Sequence, residues 1–144
     1  PLVLISFGLR RGQKKDTVAN LEHTQDFVIN ILDDSLIQAT IQASLDYPGD
    51  VDEIREVGLT AVASDKVKSP RIAEAQVSLE CRVMQNMEIS EELRHLVFGE
   101  VILAHVKDEL WVDGNIDPYQ MGLVGRLGGG IYCRTRDIFK MKPS

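Results

Sequence analysis

Apolar positions follow three patterns along this chain, and each predicts a kind of element. Leu2 to Phe7 (LVLISF) is a nearly unbroken apolar run of strand length, which predicts a strand buried on both faces. Gly8 to Lys15 is polar and reads as loop. Asp16 or Thr17 then offers a cap for a helix with Val18 and Leu21 on one side. Phe27 to Ile31 (FVINI) predicts a second strand. Asp33 and Asp34 form the acidic start of a helix on which Ile37, Ile41 and Leu45 share a face. The stretch DYPGDVDEIREVG reads as a loop with one helical turn, ended by Gly58. LTAVA is a short strand, and SDKVKSPR is connection rather than core.

The second half changes period. In VSLECRV, Val77, Leu79, Cys81 and Val83 alternate with Ser78, Glu80 and Arg82, which predicts a strand with one wet face. Leu96 to Val106 (LVFGEVILAHV) is a longer strand, with Gly99 as a bulge or a point of close approach. ISEELRH joins the two, so they pair as a hairpin. Trp111 and Val112 precede DGN, a turn signal; GRLGGG and IYCRTRD follow, then a polar tail. The pattern describes an antiparallel β domain with about two helices between its early strands. Strand edges are best removed by a closed or partly closed barrel, although the same pattern fits a sandwich.

Composition narrows the function classes. A chain of 144 residues suits one domain with a real core. A net charge of -6 argues against general nucleic-acid binding, and no apolar run approaches a membrane span. Cys81 and Cys133 are too few for a disulfide scaffold and have no metal-ligand partner at short spacing, which fits plain thiols in a reducing, cytoplasmic setting.

Against that acidic background, four of the 16 Lys and Arg residues fall between Arg10 and Lys15, just before a helix start. Lys14, Lys15, the Thr17 hydroxyl and unpaired helix amides make a phosphate cradle, although the spacing of a P-loop is missing. Local chemistry alone fits a solvated basic loop slightly better. Gly125 to Gly130 (GRLGGG) would allow close approach to a flat ligand, or simply form a turn. Arg71 and Glu74 read as a surface ion pair. His23, His95 and His105 are scattered without metal-ligand spacing, which points away from a metal; His105 reads as structural rather than as a proton donor. No residue pattern identifies a catalytic acid, base or nucleophile.

Taken in order, PLVLISFG, KKDTVANL, FVINI, SPRIAEAQVSLEC, FGEVILAHV and GRLGGGIYCRTRD resemble the flavin reductase-like family, FMN-binding split-barrel proteins of the flavoredoxin type. The resemblance runs from Pro1 to about Asp137 and implies one domain over residues 1–144. The implied fold is mainly β, a six-stranded antiparallel Greek-key split barrel with inserted helices. The resemblance implies a homodimer with FMN near the subunit interface. NADH or NADPH would be the electron donor, and an oxygenase a possible partner. It assigns Lys15, Asp16 and Thr17 to the flavin phosphate. Ser6, Phe7 and Gly8 run beside the flavin ring, and Arg126 to Gly129, including Gly128, with Tyr132 form a lid near the ring and the nicotinamide. Family members carry an earlier barrel strand and an APFSFFN-like segment that also binds phosphate and ring. Neither is present here, so the chain is expected to be N-terminally incomplete. The expected activity is hydride transfer from NAD(P)H to FMN. A flavin electron-transfer protein without nicotinamide use and a non-flavin interaction domain are the alternatives.

Overall fold

The computed structural model describes residues 1–9, 12–48, 51–89 and 95–142. Chain order gives β1 (Leu2–Phe7), α1 (Asp16–Thr24), β2 (Asp26–Asn30), α2 (Ile37–Ala43), α3 (Glu53–Glu56), β3 (Ala61–Val62) and β4 (Arg71–Ile72). There follow β5 (Val77–Glu88), β6 (His95–Val106), a 3-10 turn (Asp108–Leu110), β7 (Trp111–Val112), β8 (Asn115–Ile116), β9 (Val124–Gly128) and β10 (Ile131–Arg134). Among the described residues, β1, β6, β5 and β2 form a four-stranded antiparallel sheet in that order, and β3–β4, β7–β8 and β9–β10 form two-stranded ribbons. The β5–β6 hairpin is the spine, and each of its arms collects one early strand. The expected tight connection between them lies mostly at residues 90–94, outside the described residues. In the DGN turn, Asp113 and Gly114 both take positive φ, 51° and 79°, which suits a two-residue hairpin.

Leu21, Phe27, Cys81 and Val97 are buried together on one face of the sheet, with Val3, Ile5, Phe7 and Val101 packed against them. Helix α1 closes that face through Val18 and Leu21, as the sequence predicted. Gly99 is the point of close approach: a Cβ built there would sit 2.4 Å from Phe27 Cζ. The bulges fall instead on β5, between Glu80 and Cys81 and between Val83 and Gln85.

Five expectations are corrected. β1 is a strand, but only its Val3, Ile5 and Phe7 face is covered; Leu2 is 71% and Leu4 56% exposed, because β1 lies at the sheet edge with nothing described over its other face. The α1 cap position belongs to Lys15, whose backbone is extended and whose side chain makes no capping bond, so neither Asp16 nor Thr17 caps the helix. α2 starts later than its acidic signal. Asp33 Oδ1 accepts from the amides of Ser35 (2.8 Å) and Leu36 (3.2 Å), turning the chain so that Leu36 is buried while Ile41 and Leu45 are exposed.

The fourth correction concerns β5. Its expected wet face is dry at two of its three residues, with Ser78 2% and Glu80 0% exposed, while Arg82 is exposed as expected. The segment read as mere connection covers the dry part. Glu80 accepts from the amides of Asp65 (2.8 Å) and Lys66 (2.7 Å), and His105 Nε2 lies 2.5 Å from its Oε1. One turn further on, Asp26 accepts from the amides of Lys68 (3.0 Å) and Ser69 (3.1 Å) and from the Ser69 hydroxyl (2.7 Å). Burial pushes both carboxyls up, but these donors outweigh it and hold each below its ordinary value. Arg71 and Glu74 do not pair. Arg71 Nη2 donates to Ala63 O at 3.1 Å and its Nε stands 3.9 Å from Glu80, whereas Glu74 accepts from the Thr60 amide.

Two outcomes are expected. Because the folded pKa values of Glu80 and Asp26 are depressed, their contribution is present above the unfolded carboxylate range. It is lost as pH falls through the folded values. Urea midpoints measured across pH 7 to 3 should therefore fall, and Glu80→Gln should cost about 1–3 kcal/mol at pH 7 and flatten that profile. Gly99→Ala should cost about 1–3 kcal/mol by overpacking Phe27, and adding Phe27→Leu should recover part of it in the same urea titration. A Gly99→Ala midpoint equal to that of the parent would refute the close approach.

Candidate functional site

The chain leaves β1 at Phe7 and enters α1 at Asp16, and Val18 and Leu21 anchor that helix to the core. The first turn of α1 is thereby held at a fixed place on the surface. The first hydrogen bond across it runs from the Val18 amide to Lys15 O (2.9 Å), which leaves the preceding amides of Asp16 and Thr17 directed along the helix axis toward solvent. A cavity of about 360 Å³ opens there, lined by Leu9, Lys15, Asp16, Thr17 and Glu53 and, from the end of α2, Ala43 to Leu45. A second, of about 460 Å³, shares Asp16, Thr17 and Glu53 with it and is also lined by Tyr47, Pro48 and Asp52.

The two neighbouring lysines differ. Lys14 Nζ donates to Glu22 Oε1 at 2.6 Å, across two turns of α1, and this bond is the main reason the Glu22 carboxyl is held below its ordinary value. The Lys15 ammonium has no hydrogen-bond or ion-pair partner among the described residues. An anion in the cavity would therefore meet one free ammonium, the Thr17 hydroxyl and helix amides, the donor set a terminal phosphate requires. Asp16 and Glu53 face the same space, so the cradle is cationic on one wall only. Arg10 and Arg11, the other members of the basic cluster, lie outside the described residues.

The remaining residues predicted for the site are distributed more widely. Ser6, Phe7 and Gly8 end β1, and Phe7 pairs with the buried His95 across the sheet. Leu9, next in sequence, reaches the cavity wall. Arg126 and Gly128 lie in β9 and Tyr132 in β10. Arg126 Nε and Nη2 both donate to Gly129 O (3.3 and 3.0 Å), and Gly128 and Gly129 take positive φ, so this hairpin turn is braced by its own arginine. None of the three lines the cavities beside Lys15; their hairpin is tied instead to the approach to α2. There Arg134 and Arg136 both donate to Asp34, and Asp33 bridges Leu123.

Sequence reasoning missed Tyr47, Asp52 and Glu53 as cleft residues, because they arrive on the α2–α3 connection from about 30 positions away. The Asp52 side chain accepts from the Ile54 and Arg55 amides, a capping pattern that could have been read in DEIRE. Asp65, Glu80 and His105 bring three potential ligand atoms within 4.8 Å of one another. Both Glu80 oxygens are already engaged by amides and Arg71 approaches them, so this cluster holds the loop in place.

A family model described as Flavin reductase like domain matches residues 1–119. An uncharacterized protein of Aquifex aeolicus is 33% identical over 144 residues, covering 99% of this chain and 72% of that protein. The crystal structure of nitrilotriacetate monooxygenase component B from Bacillus cereus superposes with a TM-score of 0.91 at 26% identity, covering 98% of this chain and 72% of the other. A Shewanella frigidimarina structure described as a flavin reductase with a split barrel domain has a TM-score of 0.87 at 21% identity, covering all of this chain and 71% of the other, and shows the common fold. The mainly β architecture is thus the split barrel that the sequence resemblance implied, and the chain belongs to the flavin reductase-like domain family.

Proposed function

We propose that the protein binds FMN and passes hydride to it from NADH or NADPH. The observation that carries this reading is Lys15 at the start of α1, lining a cavity beside the end of β1 with no partner for its ammonium among the described residues, while its neighbour Lys14 is engaged by Glu22. Lys15, the Thr17 hydroxyl and the first amides of α1 would hold the phosphate, with Asp16 in the same turn. The backbone of Ser6, Phe7 and Gly8 would run beside the ring. Arg126, Gly128 and Tyr132 would form the nicotinamide side. They stand apart from the Lys15 cavity in one chain, which fits a site completed across a homodimer. Bound FMN supplies the two-electron chemistry, and the protein supplies anchoring, orientation and exclusion of water. No general acid or base need touch the reacting atoms for this transfer.

The sheet face opposite the core is covered at Ser78 and Glu80 but not along β1, and that uncovered part supports the dimer. Leu2 and Leu4 of β1 and Met84 and Met87 of β5 are exposed on or beside it, an unusual concentration of large apolar side chains on a strand surface. The likeness to a monooxygenase component B supports a partner oxygenase as the consumer of reduced flavin. The same cradle would also serve an electron-transfer protein that takes no nicotinamide.

Lys15→Ala should weaken FMN binding about tenfold to a hundredfold, since a charge-assisted bond to phosphate is worth about 1.5–3 kcal/mol. Thr17→Ala should weaken it less and leave stability unchanged, because Thr17 does not cap α1. Lys14→Ala should have little effect, because Glu22 already holds that ammonium. Flavin fluorescence titration at low and high salt measures all three; equal affinities without salt dependence would discard the cradle. Anaerobic addition of NADH or NADPH should bleach the yellow protein, and a colour that persists with both would favour the electron-transfer reading. Sedimentation at micromolar concentration should give a dimer, and a monomer would count against the shared site.

A further inference from the structure

Among the described residues, Glu53 borders three cavities. It lines the Lys15 cavity, the second cavity running to Tyr47, and a third of about 240 Å³ walled mainly by apolar residues such as Leu36, Ile54 and Leu59. Its carboxylate has no hydrogen-bond or ion-pair partner among the described residues, and it sits at the first turn of α3. The Lys15 cavity shares the lining residues Asp16, Thr17 and Glu53 with the second, and Ala43 and Glu53 with the third. The same negative charge therefore borders all three. In the second, Asp16 and Asp52 add to it.

From this geometry we propose that Glu53 is a specificity residue that restricts the flavin to a terminal monophosphate, FMN, against its adenylated form, FAD. The inference rests on the flavin reading above. FAD is FMN with its phosphate joined to adenylate through a phosphoanhydride. A terminal phosphate carries close to two negative charges at neutral pH, so it makes the strongest use of one free ammonium and a helix N-terminus. In FAD that phosphate becomes half of a pyrophosphate and keeps one charge, and a second charged phosphate follows immediately. A second phosphate directed toward either neighbouring cavity would come beside Glu53. Tyr47 and Pro48 offer flat apolar surface for an adenine, but Asp16, Asp52 and Glu53 line the same cavity. An adenylate left in solvent gains no contact, so FAD loses charge at Lys15 without compensation.

Equilibrium dialysis with FMN and with FAD tests this on the full chain and on Glu53→Gln. Glu56→Gln serves as a control for net charge, because Glu56 is exposed on the same helix and lines none of these cavities. The parent should bind FMN at least tenfold more tightly than FAD at low salt. Glu53→Gln should narrow that ratio about five- to tenfold, chiefly by tightening FAD, and Glu53→Lys should narrow it further. Glu56→Gln should leave it unchanged. FMN binding with the same ratio in Glu53→Gln, an equal response in Glu56→Gln, or a parent that takes both flavins alike would overturn the role of Glu53 and leave the flavin reading intact. Binding of neither flavin would overturn both.

Discussion

Two buried carboxylates organise one side of this molecule. Glu80 and Asp26 sit on adjacent strands, β5 and β2, and between them they accept four consecutive-pair backbone amides of the segment from Asp65 to Ser69. A carboxylate removed from water is costly unless its lone pairs are satisfied. Here the satisfying groups come from a mainly polar loop, in which Val67 is the one apolar side chain between Asp65 and Ser69. Each needs the other: the loop cannot lie on the sheet without acceptors, and the acceptors cannot be buried without the loop. His105 and Arg71 complete the arrangement around Glu80. Neutralising Glu80 would therefore release a segment of backbone as well as weaken one bond. That segment leads into β4, which covers the Ser78 end of β5 through Asn30 and Ile72.

With that face closed by polar bonds, the opposite face is free to form the apolar core, and α1 lies over it. Val18 and Leu21 are the only buried residues of α1, so the helix is located by two contacts near its middle. Its first turn projects beyond them, amides outward. The position of Lys15 is thus a consequence of packing on the far side of the helix. The close approach of Phe27 to Gly99 serves the same end, because a Cβ at Gly99 would push the aromatic ring into the space Leu21 shares with it.

How much of this the sequence discloses depends on whether a contact is local. Strands β1, β2, β5 and β6 and the face of α1 are visible as periodicities, and Gly99 as an interruption of one. The Lys15 cradle is visible because its parts are consecutive. Glu80 was misread because alternation assigns polar residues to water, and nothing at position 80 announces amides arriving from position 65. Leu2 and Leu4 were misread for the converse reason: an apolar run does not say whether the surface covering it belongs to the same chain. Glu53 is invisible to any local rule, since its neighbours in the cleft are about 35 positions away. The flavin reductase-like family was recognisable only from several short segments in order, none of which is diagnostic singly.

The same division by range explains the charge pattern. An acidic protein that handles an anionic ligand must keep its own carboxylates from cancelling the few cations that bind it. Glu22 takes Lys14, Asp34 takes Arg134 and Arg136, and Glu80 is approached by Arg71 and His105, so part of the basic inventory is committed to the fold. Lys15, at the cap position of α1, has no such partner among the described residues. The nearby carboxylates Asp16 and Glu53 are not bonded to it. On the proposed reading they would set negative charge close beside one ammonium and one helix end. Such an arrangement would discriminate by where charge sits on a ligand and not only by how much it carries. It would favour a ligand whose negative charge is concentrated at its tip and disfavour one whose charge continues past it.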